Sequence, residues 1–591
     1  MVNEVQEPTL GSSSNLCLSC HDGTVAPGTN VPYGNIKMSG TMFSTDLFVG
    51  TLQGMHPFNF KLPLNCTSDN LLAVVCTGQT ANGSVPLVNG NVQCNTCHNP
   101  HVELTDPVAG DFLVVDNSSS ALCLSCHVSQ PTSFGANPMH SIRTGPGSAQ
   151  PQNAARDRAN SFAQWNQSVH AIDSHTLDKR AKGVGPYPTL RQNGCQSCHS
   201  SHNANGVAQL LSSPKPPVPN MDATTQACIT CHNGGTALSP AIPNIFAEFG
   251  KTGHPFPDGK NQHVAREAVV LNNNRHATCV DCHDPHASKQ TSTFASVPIR
   301  GAQNEAVGVS GTDGVTKVKP AENQYETCLR CHGTSAGKQT LAVYGYAPER
   351  ATISGDPLNL VPQFGALAKS AHPVFRDRQS ALPQPSVLKF MLNLDGRTPG
   401  RAMPTRLLCT DCHNSDDNRE SGGTGPAGPH GSKFSHILER RYEFSQVVPG
   451  LPPSGGPGST IQNLQPLVLD ASAGGPYSLC AKCHDLNNVF ADASFKKHSV
   501  HLKAGFSCSV CHTSHGMGST PSNPGGDRLV SFDLRVVAPL ESSGVAGNKP
   551  AVAPIAYDRV SSTCTLRCHN FNHNSNGTVT PALTGVGSAK H

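Results

Sequence analysis

The chain has 591 residues, including 55 glycines, 47 prolines, 24 cysteines and 29 histidines. Only 14% of the residues are charged and 5% are aromatic, whereas ordinary domains carry about 25% charged residues. This composition argues against several hydrophobic cores of the usual kind. The net charge of +3 and the abundant cysteine argue against a disordered chain. The absence of a basic run leaves nucleic-acid binding without support.

Twenty-two of the 24 cysteines occur in pairs, and a histidine directly follows the second cysteine of each pair. Ten copies of C-x-x-C-H and one C-x-x-x-C-H at the C-terminal end use the pairs Cys17 and Cys20, Cys94 and Cys97, Cys123 and Cys126, Cys195 and Cys198, Cys228 and Cys231, Cys279 and Cys282, Cys328 and Cys331, Cys409 and Cys412, Cys480 and Cys483, Cys508 and Cys511, and Cys564 and Cys568. Zinc sites and redox dithiols also use C-x-x-C, but neither needs a histidine after every copy. The pattern predicts eleven covalently bound c-type haems.

In such a motif the two thiols add to the vinyl groups of one haem and the next histidine becomes the proximal iron ligand. The predicted proximal ligands are His21, His98, His127, His199, His232, His283, His332, His413, His484, His512 and His569. The second axial position of each iron needs another ligand, and eighteen histidines remain for it. That surplus predicts bis-histidine ligation throughout.

Sequence context selects the predicted distal ligands. Four belong to C-H-x-x-H, three to His-Pro and two to Ser-Val-His, while two more follow motifs in comparable positions: His101, His202, His286 and His515; His56, His254 and His372; His170 and His501; His140 and His430. A histidine three residues past a proximal ligand lies too close in sequence to cross its own haem, so we expect it to bind a neighbouring one. The unassigned histidines are His175, His263, His276, His436, His498, His573 and His591.

The attachment motifs and the predicted distal histidines form an internal repeat, in which an upstream histidine precedes two successive attachment motifs. The repeat predicts one continuous unit with a single-haem segment at 1–55 and haem pairs in 56–140, 141–245, 246–350, 351–490 and 491–591. The first motif is the second half of a truncated pair. We expect mostly irregular coil, with short helices and few strands wrapped around a haem core. Alternating apolar residues predict a strand over Arg528–Val537.

Cys66 and Cys76 lie outside the motifs. We expect them to form a disulfide that closes a short loop, because haem attachment and disulfides both belong outside the cytoplasm. A free pair of thiols or a zinc-binding pair is the alternative.

The segments GMHPF…CNTCHNPH…LCLSCH and GHPF…CVDCHDPH…CLRCH resemble the multihaem cytochromes with a doubled C-x-x-C-H motif. The resemblance implies bis-histidine haems stacked alternately in parallel and perpendicular pairs, threaded as a continuous chain. Similar proteins are exported electron carriers, outer-surface reductases, parts of porin conduits or subunits of conducting filaments. The segment CHNSDDN departs from the pattern, with His430 as the substitute ligand.

These features predict long-range electron transfer rather than a dedicated enzyme. We expect an exported protein, extracellular or at the outer cell surface, with the periplasm as the alternative. Met1–Leu10 lacks the features of a signal peptide, and no apolar run is long enough to span a membrane as a helix.

The expected partners are other cytochromes, extracellular acceptors such as metal oxides, and further copies of the chain in head-to-tail contact. Two alternatives remain open. One is a monomeric carrier or metal reductase. The other is a reductase of nitrite, hydroxylamine or sulfur oxyanions with one open haem.

Overall fold

The computed structural model describes residues 85–127, 164–177, 185–202, 210–212, 221–235, 242–254, 277–290, 298–333, 359–378, 386–443, 469–493, 496–518, 527–534, 536–541, 555–558, 560–568 and 571–581, with short pieces at 13–14, 16–17, 29–30, 34–35, 56, 58, 60–61, 204, 238–239 and 552–553. The predicted site residues Cys20, His21, His140 and His569 lie outside these ranges, as do Cys66 and Cys76.

The helices are short, and most of them contain or adjoin an attachment motif. They are α1 Cys94–Cys97, α2 Ala121–Leu124, α3 Val169–Ile172, α4 Leu190–Asn193, α5 Ala223–Ile229, α6 Ile245–Glu248, α7 Cys279–Cys282, α8 Gln324–His332, α9 Val361–Phe364, α10 Ser478–Ala481, α11 Leu486–Phe490 and α12 His498–Lys503. Single 3₁₀ turns occur at Ser118–Ser120, Trp165–Gln167, Gly194–Ser197, Gly301–Gln303, Cys409–Asp411, Arg419–Ser421, Ser435–Ile437, Cys508–Val510 and Asp527–Leu529.

The strands are shorter still. They are β1 Thr29–Asn30, β2 Gly34–Asn35, β3 Phe60–Lys61, β4 Asn91–Val92, β5 Thr176–Leu177, β6 Leu238–Ser239, β7 Thr252–Gly253, β8 Gly308–Val309, β9 Lys317–Val318, β10 Ala368–Ala371, β11 Phe390–Leu392, β12 Pro399–Ala402, β13 Gly431–Ser432, β14 Gly516–Gly518, β15 Val537–Ala538, β16 Leu540–Glu541, β17 Val552–Ala553, β18 Ala556–Asp558, β19 Thr563–Cys568, β20 Phe571–His573 and β21 Val579–Pro581.

Most of these strands form two-stranded antiparallel pairs. Two of the pairs join segments far apart in sequence, β7 with β13 and β10 with β14. The largest sheet in the described ranges has five strands at the C-terminal end, in the order β15-β19-β20-β21 with β18 also paired to β19. β19 therefore has neighbours on both sides and is the best-supported strand of the sheet.

The strand predicted over Arg528–Val537 is wrong for most of its length. Asp527–Leu529 is a 3₁₀ turn, Val530 forms only an isolated bridge to His512, and regular pairing begins at Val537. The apolar residues of this segment do serve the core, since Phe532, Val536 and Val537 are buried together with Val510 and Leu566. Their alternation thus reflects burial on one side of an irregular segment.

Apolar packing is local. Besides the C-terminal cluster, Tyr477, Ala481, Leu486 and Leu502 form a second small core between α10, α11 and α12. Both clusters border attachment motifs, because Cys508 packs against the second and Cys511, Cys564 and Cys568 pack against the first. The motif cysteines therefore lie at the edges of the protein's own apolar cores.

Candidate haem sites

Nine attachment motifs are built on a helical or 3₁₀ turn, those that begin at Cys94, Cys123, Cys195, Cys228, Cys279, Cys328, Cys409, Cys480 and Cys508. The turn is closed by a hydrogen bond from the histidine N–H to the carbonyl of the first cysteine, for example from His98 to Cys94 at 3.1 Å and from His127 to Cys123 at 2.8 Å. Three-residue spacing on a turn places both thiols on one side. A helical or 3₁₀ turn is therefore shared by these nine motifs.

Eight histidine pairs face each other across a narrow range of distances. Their ring centroids are 5.8 to 6.4 Å apart in the pairs His56–His127, His98–His202, His170–His232, His199–His286, His283–His430, His413–His515, His498–His512 and His501–His573. Imidazole nitrogens lie about 2 Å from a bound metal, so two rings that share one ion have centroids about 6 Å apart. Each gap therefore fits one iron between two imidazoles.

Seven of these pairs join a motif histidine to a histidine from elsewhere in the chain. The histidines His202, His286 and His515, which follow a motif by three residues, face the proximal histidines His98, His199 and His413 of an earlier motif. His430 takes the same position against His283. The third-position histidine of one repeat thus lies against the first motif of the repeat before it.

Hydrogen bonds to backbone carbonyls orient the imidazoles. Among motif histidines, Nδ1 of His283 contacts the Ala302 carbonyl at 2.8 Å and Nδ1 of His413 contacts the His436 carbonyl at 2.8 Å. Because a carbonyl only accepts, Nδ1 must carry the proton, and Nε2 keeps the lone pair that binds a metal. The backbone therefore selects the ligating tautomer before a metal arrives.

The histidines that precede the motif pairs make the same kind of hydrogen bond, to a backbone carbonyl of the next repeat. Nδ1 of His170 donates to Pro285, that of His254 to Pro429 and that of His372 to Ser514, at 2.9, 2.9 and 2.6 Å. Each acceptor directly precedes another predicted distal ligand, His286, His430 or His515. Each of these hydrogen bonds thus positions two predicted distal ligands relative to each other.

His254 and His372 lie beside other predicted ligands. Burial and the neighbouring imidazole of His372 lower the pKa of His484 to about 4. Burial and the neighbouring imidazoles of His283, His254 and His232 lower the pKa of His430 to about 3. Both values keep the imidazoles neutral, as ligation requires.

His101 has a different setting. Its side chain is exposed, and its backbone N–H donates to Asn99 Oδ1 at 3.1 Å. The repeat would assign it to a haem earlier in the chain, and His21 of the first motif lies outside the described residues.

Two histidines outside the predicted ligand set also face another histidine. His498 faces His512 at 6.2 Å, and His573 faces His501 at 6.2 Å. His498 and His501 share helix α12 at a spacing of three residues, so they point to the same side of it. The spacing is a signal for His498, because it places this histidine beside His501, a predicted ligand, on the same helix.

Two further histidines outside the predicted ligand set, His175 and His436, make hydrogen bonds within the protein. His175 hydrogen-bonds the carboxylate of Asp173, and the carbonyl of His436 accepts from His413.

The motif cysteines approach one another in two alternating ways. The first cysteines of two successive motifs approach each other across each repeat boundary, in the pairs Cys123–Cys195, Cys228–Cys279, Cys328–Cys409 and Cys480–Cys508, and the later thiol raises the pKa of the earlier one. The second cysteines approach one another inside a repeat, in the pairs Cys97–Cys126, Cys198–Cys231, Cys282–Cys331 and Cys412–Cys483, where the later cysteine contributes to raising the pKa of the earlier one. The motifs from Cys94 to Cys508 are therefore adjacent one after another.

The same boundary contact begins at the first motif. Ser120, three residues before Cys123, accepts the N–H of Cys195 at 2.7 Å. Ser14, three residues before Cys17, accepts the N–H of Cys94 at 3.3 Å. Ser14 therefore contacts the start of the Cys94 motif as Ser120 contacts the start of the Cys195 motif.

A fully buried ion cluster lies between the Cys409 and Cys480 motifs. Glu439 accepts from Lys482 Nζ at 2.8 Å and from Arg440 Nε at 3.1 Å. Lys482 is part of the motif that begins at Cys480, and it also donates to the Asp411 carbonyl at 2.7 Å. Two cations against one carboxylate give these three side chains a net positive charge beside both attachment motifs.

The comparisons with known proteins agree with the motifs. The family model described as doubled CXXCH motif matches residues 86–132. No curated protein and no solved structure matches the chain. The match supports a haem-binding c-type cytochrome. A cytochrome of this kind binds haem covalently, and the bound haem transfers electrons.

No helix in the described ranges is long and apolar enough to cross a membrane. In the same ranges, no three or more His, Cys, Asp and Glu side chains cluster as a metal cage.

Proposed function

We propose that this protein conducts electrons over a long distance through eleven covalently bound c-type haems, each with two histidine ligands. The observation that carries the proposal is the set of eight facing histidine pairs with ring centroids 5.8 to 6.4 Å apart. An iron held between two imidazoles has no position left for a substrate. Its function is then to gain and lose electrons.

Bound haem would supply the redox couple, and the protein supplies ligands, insulation and electrostatic tuning. The Nδ1 hydrogen bonds hold the imidazoles in one orientation, which keeps the ligand geometry similar in both oxidation states. Little rearrangement accompanies each transfer, and this favours fast exchange between neighbouring haems.

The alternating cysteine contacts support a continuous chain. Consecutive motifs from Cys94 to Cys508 approach one another, with two kinds of contact in alternation. Haems attached to these cysteines would be near neighbours, so electrons could hop from one to the next. The haems would also complete the interior, which the small local apolar clusters do not fill.

We further propose that the protein works outside the cell or at its outer surface, and that copies of it associate head to tail. Such an assembly would extend the haem chain beyond one molecule toward other cytochromes or solid acceptors such as metal oxides. Electron microscopy of the secreted fraction separates these arrangements. Filaments support the assembly, whereas uniform single particles favour a monomeric carrier.

Conductance across a protein film between two electrodes tests the proposed function. The unsubstituted protein should conduct at potentials near those of its haems. The Cys279→Ser/Cys282→Ser variant, which lacks a haem in the middle of the chain, should conduct at least tenfold less. A variant that lacks only the last haem, Cys564→Ser/Cys568→Ser, controls for the loss of one cofactor. Equal conductance in all three proteins would contradict a continuous chain.

A further inference from the structure

The last attachment motif is built differently from the nine described above. Cys564 and Cys568 lie at the second and last positions of strand β19, not on a helical turn. Side chains alternate across a strand, so residues four apart share one face. The additional residue in C-x-x-x-C-H therefore places both thiols on the same face of the strand.

His573 belongs to that same face. β20 pairs with β19 in an antiparallel register that sets Leu566 directly opposite His573. Leu566 lies midway between the two cysteines, and directly opposed residues project to the same side of a sheet. The imidazole of His573 therefore stands next to the strand that carries both thiols, centred between them along its length.

His573 faces His501 across a gap of the width that one bound iron requires. Its ring centroid is 6.2 Å from that of His501, the same distance as in the His498–His512 and His199–His286 pairs. Nδ1 of His501 is held by the Lys497 carbonyl at 2.7 Å, which leaves Nε2 for a metal. His501 was already the predicted distal ligand of this region from sequence.

We propose that His573, rather than the motif histidine His569, is the axial ligand opposite His501 at the C-terminal haem. The assignment rests on the proposed attachment of that haem to Cys564 and Cys568. On a helical turn the histidine after the second cysteine is carried beneath the ring. On a strand, the cross-strand neighbour takes this place.

The test uses the intact protein with its haems, counted by mass spectrometry, and low-temperature EPR. His573→Ala should convert one low-spin haem per chain to high-spin, and added imidazole should reverse the change. His501→Ala should do the same. The double variant should show one altered haem, because both side chains bind the same iron. His175→Ala, which removes a histidine bonded to Asp173, is the matched control and should leave every haem low-spin.

Two altered haems in the double variant, or a wholly low-spin His573→Ala protein with all its haems, would overturn the assignment. If His573→Ala does not fold, His573→Met replaces it. This variant should raise the potential of one haem, since methionine ligation favours the reduced iron, and an unchanged titration would overturn the assignment. Peptide mapping by mass spectrometry that finds no haem on Cys564 and Cys568 in the unsubstituted protein would refute haem attachment at this motif, which is a different failure.

Discussion

His254 donates its Nδ1–H to the carbonyl of Pro429 at 2.9 Å, across 175 positions of the chain. The next residue, His430, faces His283. A ligand candidate of one repeat is thereby tied to a ligand candidate from the next repeat. His170 and His372 make the same kind of bond beside His286 and His515. Successive repeats are thus joined by hydrogen bonds at the predicted distal ligands.

Replacement of a single facing histidine should change a single haem. We expect His286→Met, opposite His199, to raise the potential of one haem by on the order of 100 mV, because methionine ligation stabilises Fe(II). A spectroelectrochemical titration measures the shift. His175→Met is the control and should leave the titration unchanged. A titration of His286→Met identical to that of the unsubstituted protein would mean that His286 is not a ligand.

The side chain that accepts a hydrogen bond from a ligand histidine should tune the reduction potential of its haem. Replacements that weaken or strengthen the acceptor should shift this potential in opposite directions. Nδ1 of His515 contacts Gln363 Oε1 at 3.2 Å. Gln363→Leu removes the acceptor, makes the imidazole a weaker donor to iron and should raise the potential of one haem by up to about 60 mV. Gln363→Glu supplies a stronger acceptor and should lower it. Shifts of the same sign in both variants would refute the role of this hydrogen bond.

The planes of the facing imidazoles predict two classes of low-spin haem. The rings of His199 and His286 are 9° apart, and those of His98 and His202 are 23° apart. The rings of His170 and His232 are at 86°, and those of His56 and His127 at 82°. Near-parallel ligands give rhombic low-spin EPR spectra, and near-perpendicular ligands give strongly anisotropic ones. We expect both signals, and a single class would contradict these ring orientations.

The buried cluster around Glu439 should make its surroundings sensitive to acid. Burial raises the pKa of Glu439, but the charges of Lys482 and Arg440 outweigh burial and hold the pKa below its usual value. The ionised carboxylate therefore contributes stability that is complete above its unfolded pKa of about 4.3 and is lost as the pH falls through the lowered folded value.

Glu439→Gln should remove that dependence and destabilise the region by about 3–5 kcal/mol at neutral pH, since two buried cations lose their partner. Hydrogen exchange in 431–443 and 478–484, followed between pH 7 and acid, measures both effects. Asp377→Asn breaks an exposed pair with Arg406 and should change little. Equal exchange in Glu439→Gln and the unsubstituted protein would contradict the prediction.

The sequence predicts the attachment motifs of this protein better than it predicts which histidine faces which motif. C-x-x-C-H spacing implies a turn, and nine motifs form one. Which histidine faces which motif depends on long-range pairing such as β7 with β13, and no local pattern encodes it. His573 was overlooked because its relation to Cys564 and Cys568 exists only in the register of β19 and β20. The strand predicted at Arg528–Val537 failed because alternation reports burial whether or not a partner strand is present.

Every haem of this protein should have two histidine ligands, and none should be open to substrate. Low-temperature magnetic circular dichroism of the oxidised protein, with haems counted by intact mass, tests it most directly. We expect eleven haems per chain, all low-spin with two nitrogen ligands. One high-spin haem among them would contradict the claim and indicate a reductase with an open iron.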